Sequence, residues 1–278
     1  MSIFFICNNK FYKEGGLVIS PSNRSFRYGD GLFETMKVIE GQIILKQFHF
    51  ERLFAGMKTL KFEAPVNFDE IFLEKEIKKI CDKNHHTKCA RVRLTVFRGD
   101  GGLYDAKNNL PNYVIETWTI ENKQELNTNG LVIDIYEEAK KSCDKFSNIK
   151  SNNFLPYAMA ALHAKENKLN DCILLNTHNR ICDATIANIF IIKNKKIYTP
   201  PLSEGCIAGV VRRWMLENLN LLFKIEETPI TKQDVLDADE IFLTNSIYDM
   251  RWVKLCSDSS YSCDITQKIF QHLITTIY

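Results

Sequence analysis

The stretch from Lys150 to Pro201 constrains this chain more than any other, because it sets a lysine, a small-residue helix, a strand and a turn in close succession. It opens Lys150-Ser151-Asn152-Asn153-Phe154-Leu155, just after a turn-rich run containing Ser142, Asp144, Ser147 and Asn148. Ala158, Ala161, Leu162 and Lys165 recur at helical intervals and predict a helix over Pro156 to Lys168. Asp171 to Asn176 reads as a strand, Thr177-His178-Asn179-Arg180 as a polar turn, and the apolar run Ile181 to Ile192 follows. Tyr198-Thr199-Pro200-Pro201 closes the stretch.

Most lysines are solvated surface groups. One at a strand-to-helix junction, flanked by Ser and Asn, is better placed for Schiff-base chemistry, since partial burial lowers its pKa and frees the amine as a nucleophile. The order of the pieces around Lys150 is what singles it out.

That order resembles the pyridoxal-phosphate domain of the class IV aminotransferases, the fold type IV enzymes. In that family a Lys-x-x-Asn-[Tyr/Phe]-Leu segment supplies the Schiff-base lysine. An [Asp/Glu]-x-x-x-x-Asn-[Ile/Leu/Val]-Phe segment then supplies the carboxylate under the pyridine nitrogen, and Tyr-Thr-Pro-Pro precedes a Gly-containing phosphate loop. Carried over, the resemblance implies that Lys150 is catalytic, that Asp183 is the pyridine partner and that Gly209-Val210-Val211-Arg212 is the phosphate turn. It runs from about Arg24 to Val253.

At 278 residues the chain is long enough for two compact lobes. Charged residues make up 25% and nearly cancel, leaving +2, so there is no electrostatic case for nucleic acid or an acidic membrane surface. No apolar run approaches the ~20 residues of a membrane helix. Ile3-Phe4-Phe5-Ile6-Cys7 turns polar too quickly for a signal peptide and reads as a first strand. Nine cysteines without Cys-x-x-Cys spacing favour reduced thiols in a cytoplasm over a zinc site or a disulfide scaffold. The pair His85-His86 follows a charged helix in a polar loop and reads as surface.

Along the chain, Ile3 to Ile19 reads as two strands and a turn around Gly15-Gly16. Tyr28-Gly29-Asp30-Gly31-Leu32-Phe33-Glu34-Thr35 matches a family segment that enters a strand beside the active site, which implies Tyr28 as a pocket residue. Phe-Glu-Thr is closer to the aminodeoxychorismate lyase and D-amino acid branches than to the Phe-Glu-Gly common in branched-chain enzymes. Gln47 to Leu60 is an amphipathic helix in which His49-Phe50-Glu51-Arg52-Leu53 matches the family's His-x-x-Arg-Leu and implies Arg52 on the cofactor phosphate. A guanidinium fork holds two phosphate oxygens at once, which suits that role.

Phe68 to Asn84 reads as a helix covering a sheet, and Ala90 to Phe97 and Tyr113 to Ile120 as strands. The turn from Arg98 to Asp105 lacks the Lys-[Ser/Thr] of a nucleotide P-loop. It resembles instead the lyase branch, with Arg98 and Tyr104 as substrate-binding residues, while the Arg-x-His of D-amino acid transaminases is missing. Ile207 to Leu219 reads as a helix opening on Gly209, where backbone amides of Val210 and Val211 would bind phosphate. Val211 stands where the family often has Thr, so one hydroxyl contact is lost. Thr231 to Asp234 reads as a helix start, and Ile265 to Ile277 as a packing helix. Glu240 to Ser246 matches the strand and loop that end the cofactor site, with Asn245 and Ser246 as phosphate contacts. Asp249 to Val253 departs from the lyases' Gly-Ile-x-Pro-Val.

The resemblance implies a two-lobe α+β or α/β fold of fold type IV. A smaller N-terminal α/β sandwich lobe (1–120) would connect through a polar linker (121–130) to a larger pyridoxal 5′-phosphate lobe with a barrel-like sheet (131–278). It also implies a homodimer with sites at the lobe junction, in which Tyr28 and Tyr104 serve the neighbouring site. No metal is expected, and the substrate is amino-acid-like. Three activities remain open: a lyase like aminodeoxychorismate lyase that releases pyruvate, a branched-chain or D-amino acid transaminase, and a degenerate relative that holds the cofactor without turnover. Asp183 is one methylene shorter than the family's usual Glu, which bears on all three.

Overall fold

The computed structural model describes residues 3–16 and 19–278, which pack as two compact units. The first runs to Lys123 and takes in Lys150–Asn153; the second comprises Gln124–Ile149 and Phe154–Tyr278. Lys150–Asn153, which the sequence pattern assigns to the second lobe, therefore packs with the first.

The first unit is an antiparallel sheet of β1 (Phe4–Cys7), β2 (Lys10–Lys13), β3 (Gly31–Ile39), β4 (Gln42–Ile43), β5 (Cys89–Arg98) and β6 (Pro111–Thr119), in the order β2-β1-β6-β5-β3-β4. Its helices are α1 (Arg24–Tyr28), α2 (Lys46–Thr59) and α3 (Glu70–Lys83). The β1–β2 turn lies at Asn8 and Asn9, not at Gly15-Gly16. Both asparagines have left-handed φ (46° and 65°), the pair of values a two-residue hairpin turn requires. Leu17 and Val18, part of the strand expected there, lie outside the described residues.

Side chains alternate along β3. Glu34 faces α2, whose His49 and Arg52 it meets, and buried Leu32, Met36 and Val38 share its face by the period of two. Phe33 lies on the opposite face. Phe50, Leu53 and Met57 are the buried apolar side of α2, as its helical spacing predicts.

The second unit is built on β7 (Leu131–Lys141), α4 (Leu155–Glu166), β8 (Asp171–Asn176), β9 (Ile181–Ala184), β10 (Asn188–Lys193) and β11 (Lys196–Thr199). It continues through α5 (Val210–Asn218), α6 (Asn220–Phe223), β12 (Ile225–Glu227), α7 (Lys232–Leu236), β13 (Glu240–Asn245), β14 (Asp249–Cys256), β15 (Ser259–Ser260) and α8 (Asp264–Ile277). The sheet runs β12-β11-β10-β13-β14-β7-β8-β9, with β15 paired to β14, and mixes parallel and antiparallel neighbours.

Both faces of β8 are covered, so it reads as a continuous apolar run. Ile173 and Leu175 join a core with Ile189, Ile241, Leu243 and Val253, whereas Cys172 and Leu174 pack with Ala160 and Ala164 of α4. The pairing of β8 with its neighbours carries two register shifts. One lies on β7 between Tyr136 and Lys140 and one between β8 and β9, and such bulges re-aim side chains at strand ends.

The helix ends follow local rules. Pro156 sits in the first turn of α4, where its missing N–H costs nothing. Thr231 and Asp234 form a reciprocal capping box on α7, as their spacing predicts. The start of α8 is capped from a distance: buried Glu240 accepts from the amides of Ile265 (2.8 Å) and Thr266 (2.7 Å) and from the Thr266 hydroxyl. Among the described residues no helix is long and apolar enough to cross a membrane, and no three His, Cys, Asp or Glu cluster as metal ligands.

Candidate functional site

In the first unit, Lys150-Ser151-Asn152 lies along β3 as a short antiparallel addition. Phe33 N donates to Lys150 O (2.9 Å), Asn152 N donates to Gly31 O (2.9 Å), and Leu32 and Ser151 form a bridge. Gly31 permits this approach, since a Cβ there would stand 2.6 Å from Asn152 Nδ2 and 2.7 Å from Val96 O. The Gly-Asp-Gly turn and the lysine segment, far apart in sequence, are thus one local structure. The half-buried Lys150 Nζ lies 4.5 Å from the centre of the Phe33 ring, and the Arg93 guanidinium lies 3.9 Å from it.

On the other face of β3, Glu34 is fully enclosed and collects three donors. His49 Nδ1 donates at 2.6 Å, Arg52 Nε at 2.8 Å and Arg52 Nη2 at 2.5 Å. Burial pushes the Glu34 carboxyl up, but Arg52 and His49 outweigh it and hold the group at about 2. Burial also lowers the pKa of His49, against the pull of Glu34, and its Nε2 is buried without a partner. The pairing through Nε and Nη2 fixes the plane of the Arg52 guanidinium. The sequence reading singled out Arg52 for the phosphate and missed Glu34 as its anchor; the available signal was an acidic residue inside the largely apolar strand Gly31–Ile39.

Arg98 stands differently from its expected substrate contact. It is buried, its Nη1 donates to both carboxylate oxygens of Asp30 (2.8 and 2.9 Å) and its Nη2 donates to Leu60 O (2.6 Å). Arg24 joins it on Asp30 through Nε (2.8 Å) and reaches the Gly102 carbonyl. Arg24 ties the Gly99–Gly102 turn to Asp30, and Arg98 ties Asp30 to the chain at Leu60. Tyr28 is exposed, and Tyr104 at the tip of that turn is 98% exposed.

In the second unit, Asp183 is the centre of a buried network. Its Oδ2 accepts from Lys141 Nζ (2.8 Å), Tyr157 OH (2.6 Å) and Ile207 N (2.9 Å), and its Oδ1 accepts from Asn188 Nδ2 (3.0 Å). Lys141 Nζ also donates to Gly205 O (2.6 Å) and meets the Tyr157 hydroxyl. Burial lowers the pKa of Lys141, but Asp183 outweighs that and the net direction is upward. Burial and Asp183 together push the Tyr157 hydroxyl well up, so it stays protonated and donates. The five-residue spacing of Asp183 and Asn188 has a reason: β9 turns through Thr185 and Ile186 into β10, which returns Asn188 to the carboxylate. Lys141 and Tyr157 escaped the sequence reading because a Lys-Lys strand end and a tyrosine in a helix carry no special signal.

Asn188 Nδ2 also donates to Ile207 O (2.8 Å), and a Cβ on Gly209 would run into Asn188 Oδ1. Gly209 caps α5 without a side-chain hydrogen bond, so the first-turn amides at Val210 and Val211 carry no capping side chain among the described residues. Arg212 anchors this start through Pro200 O (2.8 Å) and Glu227, beside the buried Thr199 and Pro200. At the end of β13, Asn245 Oδ1 accepts from the amides of Ile247 (3.0 Å) and Tyr248 (2.9 Å), an Asx turn that carries the half-buried Ser246. A side-chain-free cradle of amides and a carboxylate with acceptor capacity at Oδ1 fit the phosphate and the ring nitrogen of a pyridoxal phosphate.

The family described as Amino-transferase class IV matches residues 31–256. The chain is 29% identical to the aminodeoxychorismate lyase of Bacillus subtilis over 251 residues, 87% of this chain and 83% of the relative. It is 28% identical to that of Vibrio harveyi over 232 residues, 81% and 82% of the two chains. Among solved structures, the branched-chain aminotransferase of Thermoproteus uzoniensis with norvaline superposes with a TM-score of 0.89 at 20% identity, covering 100% of this chain and 95% of the other.

Proposed function

This chain belongs to the class IV aminotransferases, fold type IV enzymes that use pyridoxal 5′-phosphate, and from that premise we propose that it is a lyase of the aminodeoxychorismate lyase kind. In this reading Lys150 is the covalent attachment point of the cofactor and, once displaced by substrate, the base that holds or moves the substrate α-proton at its Nζ. When bound, pyridoxal phosphate supplies an electron sink for the pair released at the substrate α-carbon. Asp183 pairs with the ring nitrogen. Arg52, steadied by Glu34, holds the phosphate together with the amides of Val210 and Val211 and the Asn245-Ser246 turn. Tyr28 and Tyr104 contact substrate from a neighbouring copy. Arg98 acts indirectly by fixing Asp30, the carboxylate that also holds Arg24 against the turn before Tyr104.

The observation that carries the lyase reading is the Phe33-Glu34-Thr35 segment, beside the 28% and 29% identity of the two lyase relatives. The likeness to a branched-chain aminotransferase structure, with the altered residues Asp249 to Val253, favours a transaminase as the second reading. Exposed Phe26, Leu103 and Tyr104 support a homodimer. That none of the nine cysteines is in a disulfide among the described residues supports a cytoplasmic setting.

Two experiments test this. Borohydride reduction of the reconstituted protein followed by peptide mapping should find the pyridoxyl group on Lys150, and a label elsewhere would end the reading. Incubation with 4-amino-4-deoxychorismate should release pyruvate while the cofactor absorbance returns unchanged. Conversion of the cofactor to its amine form by branched-chain or D-amino acids, without pyruvate release, would establish the transaminase instead.

A further inference from the structure

The Asp183 carboxylate is not a bare anion. Three donors converge on Oδ2 and one on Oδ1, so Oδ1 keeps room for one more donor while Oδ2 does not. One of the three is an ammonium, and the pair is nearly out of water, at 7% exposure for the Lys141 side chain and 2% for Asp183. In such surroundings a contact cation cancels much of the field of the anion it touches.

We infer that Lys141 tunes the ring nitrogen of the cofactor. Its ammonium shares the Asp183 carboxylate with that nitrogen and lowers the nitrogen's proton affinity below what a lone carboxylate would confer. The inference rests on the reading of Asp183 as the ring-nitrogen partner. Lys141 reaches Asp183 because the β7 bulge re-aims the strand end, and the Gly205 carbonyl fixes its Nζ from the other side. The titratable groups facing Asp183 are Lys141 from β7, Tyr157 from α4, Cys182 from β9 and Cys206 from the loop before α5. Burial pushes the Cys206 thiol up to about 12 and the Cys182 thiol well above its ordinary value, so both are neutral at working pH. Lys141 is the cation in direct contact. A weaker hold on the nitrogen's proton makes the ring a milder electron sink, and Lys141 becomes a positioning residue for charge and not a group that touches substrate.

The test is a titration of the holoenzyme reconstituted with pyridoxal phosphate carrying ¹⁵N in the ring, followed by NMR. Lys141→Met and Lys141→Gln remove the charge, and each should raise the proton affinity of the ring nitrogen by at least about tenfold. Lys141→Arg should hold the parent midpoint, and Tyr157→Phe should shift it in the same direction as Lys141→Met by less. Glutamine keeps a donor for Asp183, so it decides the matter should the methionine variant not fold. Midpoints equal to the parent's in both charge-removing variants, with Asp183→Asn lowering it, would overturn the inference and leave Lys141 a structural residue. If Asp183→Asn leaves the midpoint in place while the cofactor sits on Lys150, the assignment of Asp183 itself fails and this inference goes with it. A parent protein that takes up no cofactor at Lys150 would sink the functional reading as a whole.

Discussion

The Asn188 carboxamide stands where a side chain on Gly209 would begin, and the same carboxamide donates to Asp183 Oδ1 at 3.0 Å. The glycine at the head of α5 and the carboxylate of β9 are therefore one construction. Asn188 is the link that lets a change at the helix start reach the carboxylate.

Gly209→Ala should displace Asn188 and disturb both. We expect a loss of about 1–3 kcal/mol in stability from overpacking, and at least a tenfold loss of cofactor affinity in fluorescence titrations of the apoprotein. Unchanged affinity would mean that the amides after Gly209 do not hold the phosphate.

Asp183→Ala strands a buried ammonium. The variant should be destabilised by roughly 3–5 kcal/mol in urea unfolding, because Lys141 is left uncompensated. Asp183→Asn keeps the shape and most hydrogen bonds. Its turnover should fall more than about a hundredfold, ~3 kcal/mol in the barrier, with cofactor affinity within a few fold of the parent. Asp183→Glu meets a full pocket and should lower activity as well. Parent-like turnover in Asp183→Asn would reduce Asp183 to a structural role.

Acid should weaken the first unit in two stages. His49 has a pKa below its ordinary 6.5 in the fold, so the unfolded chain binds the extra proton first and stability declines as pH drops below about 6.5. Glu34, held at about 2 against an ordinary 4.5, contributes stability present above 4.5 and lost as pH falls towards 2, about 3 kcal/mol in all. His49→Asn keeps a donor for Glu34 and should abolish the upper stage alone. Glu34→Gln should abolish the lower stage and weaken cofactor binding through Arg52. Thermal melts across pH decide this, and a parent profile flat from pH 7 to 3 would contradict it.

Glu240→Gln should cost about 1–2 kcal/mol by weakening the cap on α8, with cofactor affinity unchanged. A matching drop in affinity would show that this end of β13 is coupled to the cofactor.

The sequence by itself determined the elements and the family. Helices α2, α3, α4 and α8, strands β5, β6, β8 and β13, and the capping box at Thr231 were legible within a residue or three, because periodicity and capping are local properties. Lys150, Asp183 and Gly209 stood out only through the family motifs they resemble. The β1–β2 turn was misplaced because two glycines outweighed two asparagines as a turn signal, although Asn8 and Asn9 tolerate left-handed backbone nearly as well. Tertiary structure alone decided which charges became partners. Nothing near Glu34 in sequence announces Arg52, nothing near Asp183 announces Lys141, and Lys140 beside it looks the same. Those pairings depend on a strand facing a helix and on a bulge turning a strand end inward. Burial then magnifies them, because a charge shut away from water must find its counter-ion wherever the fold has brought one.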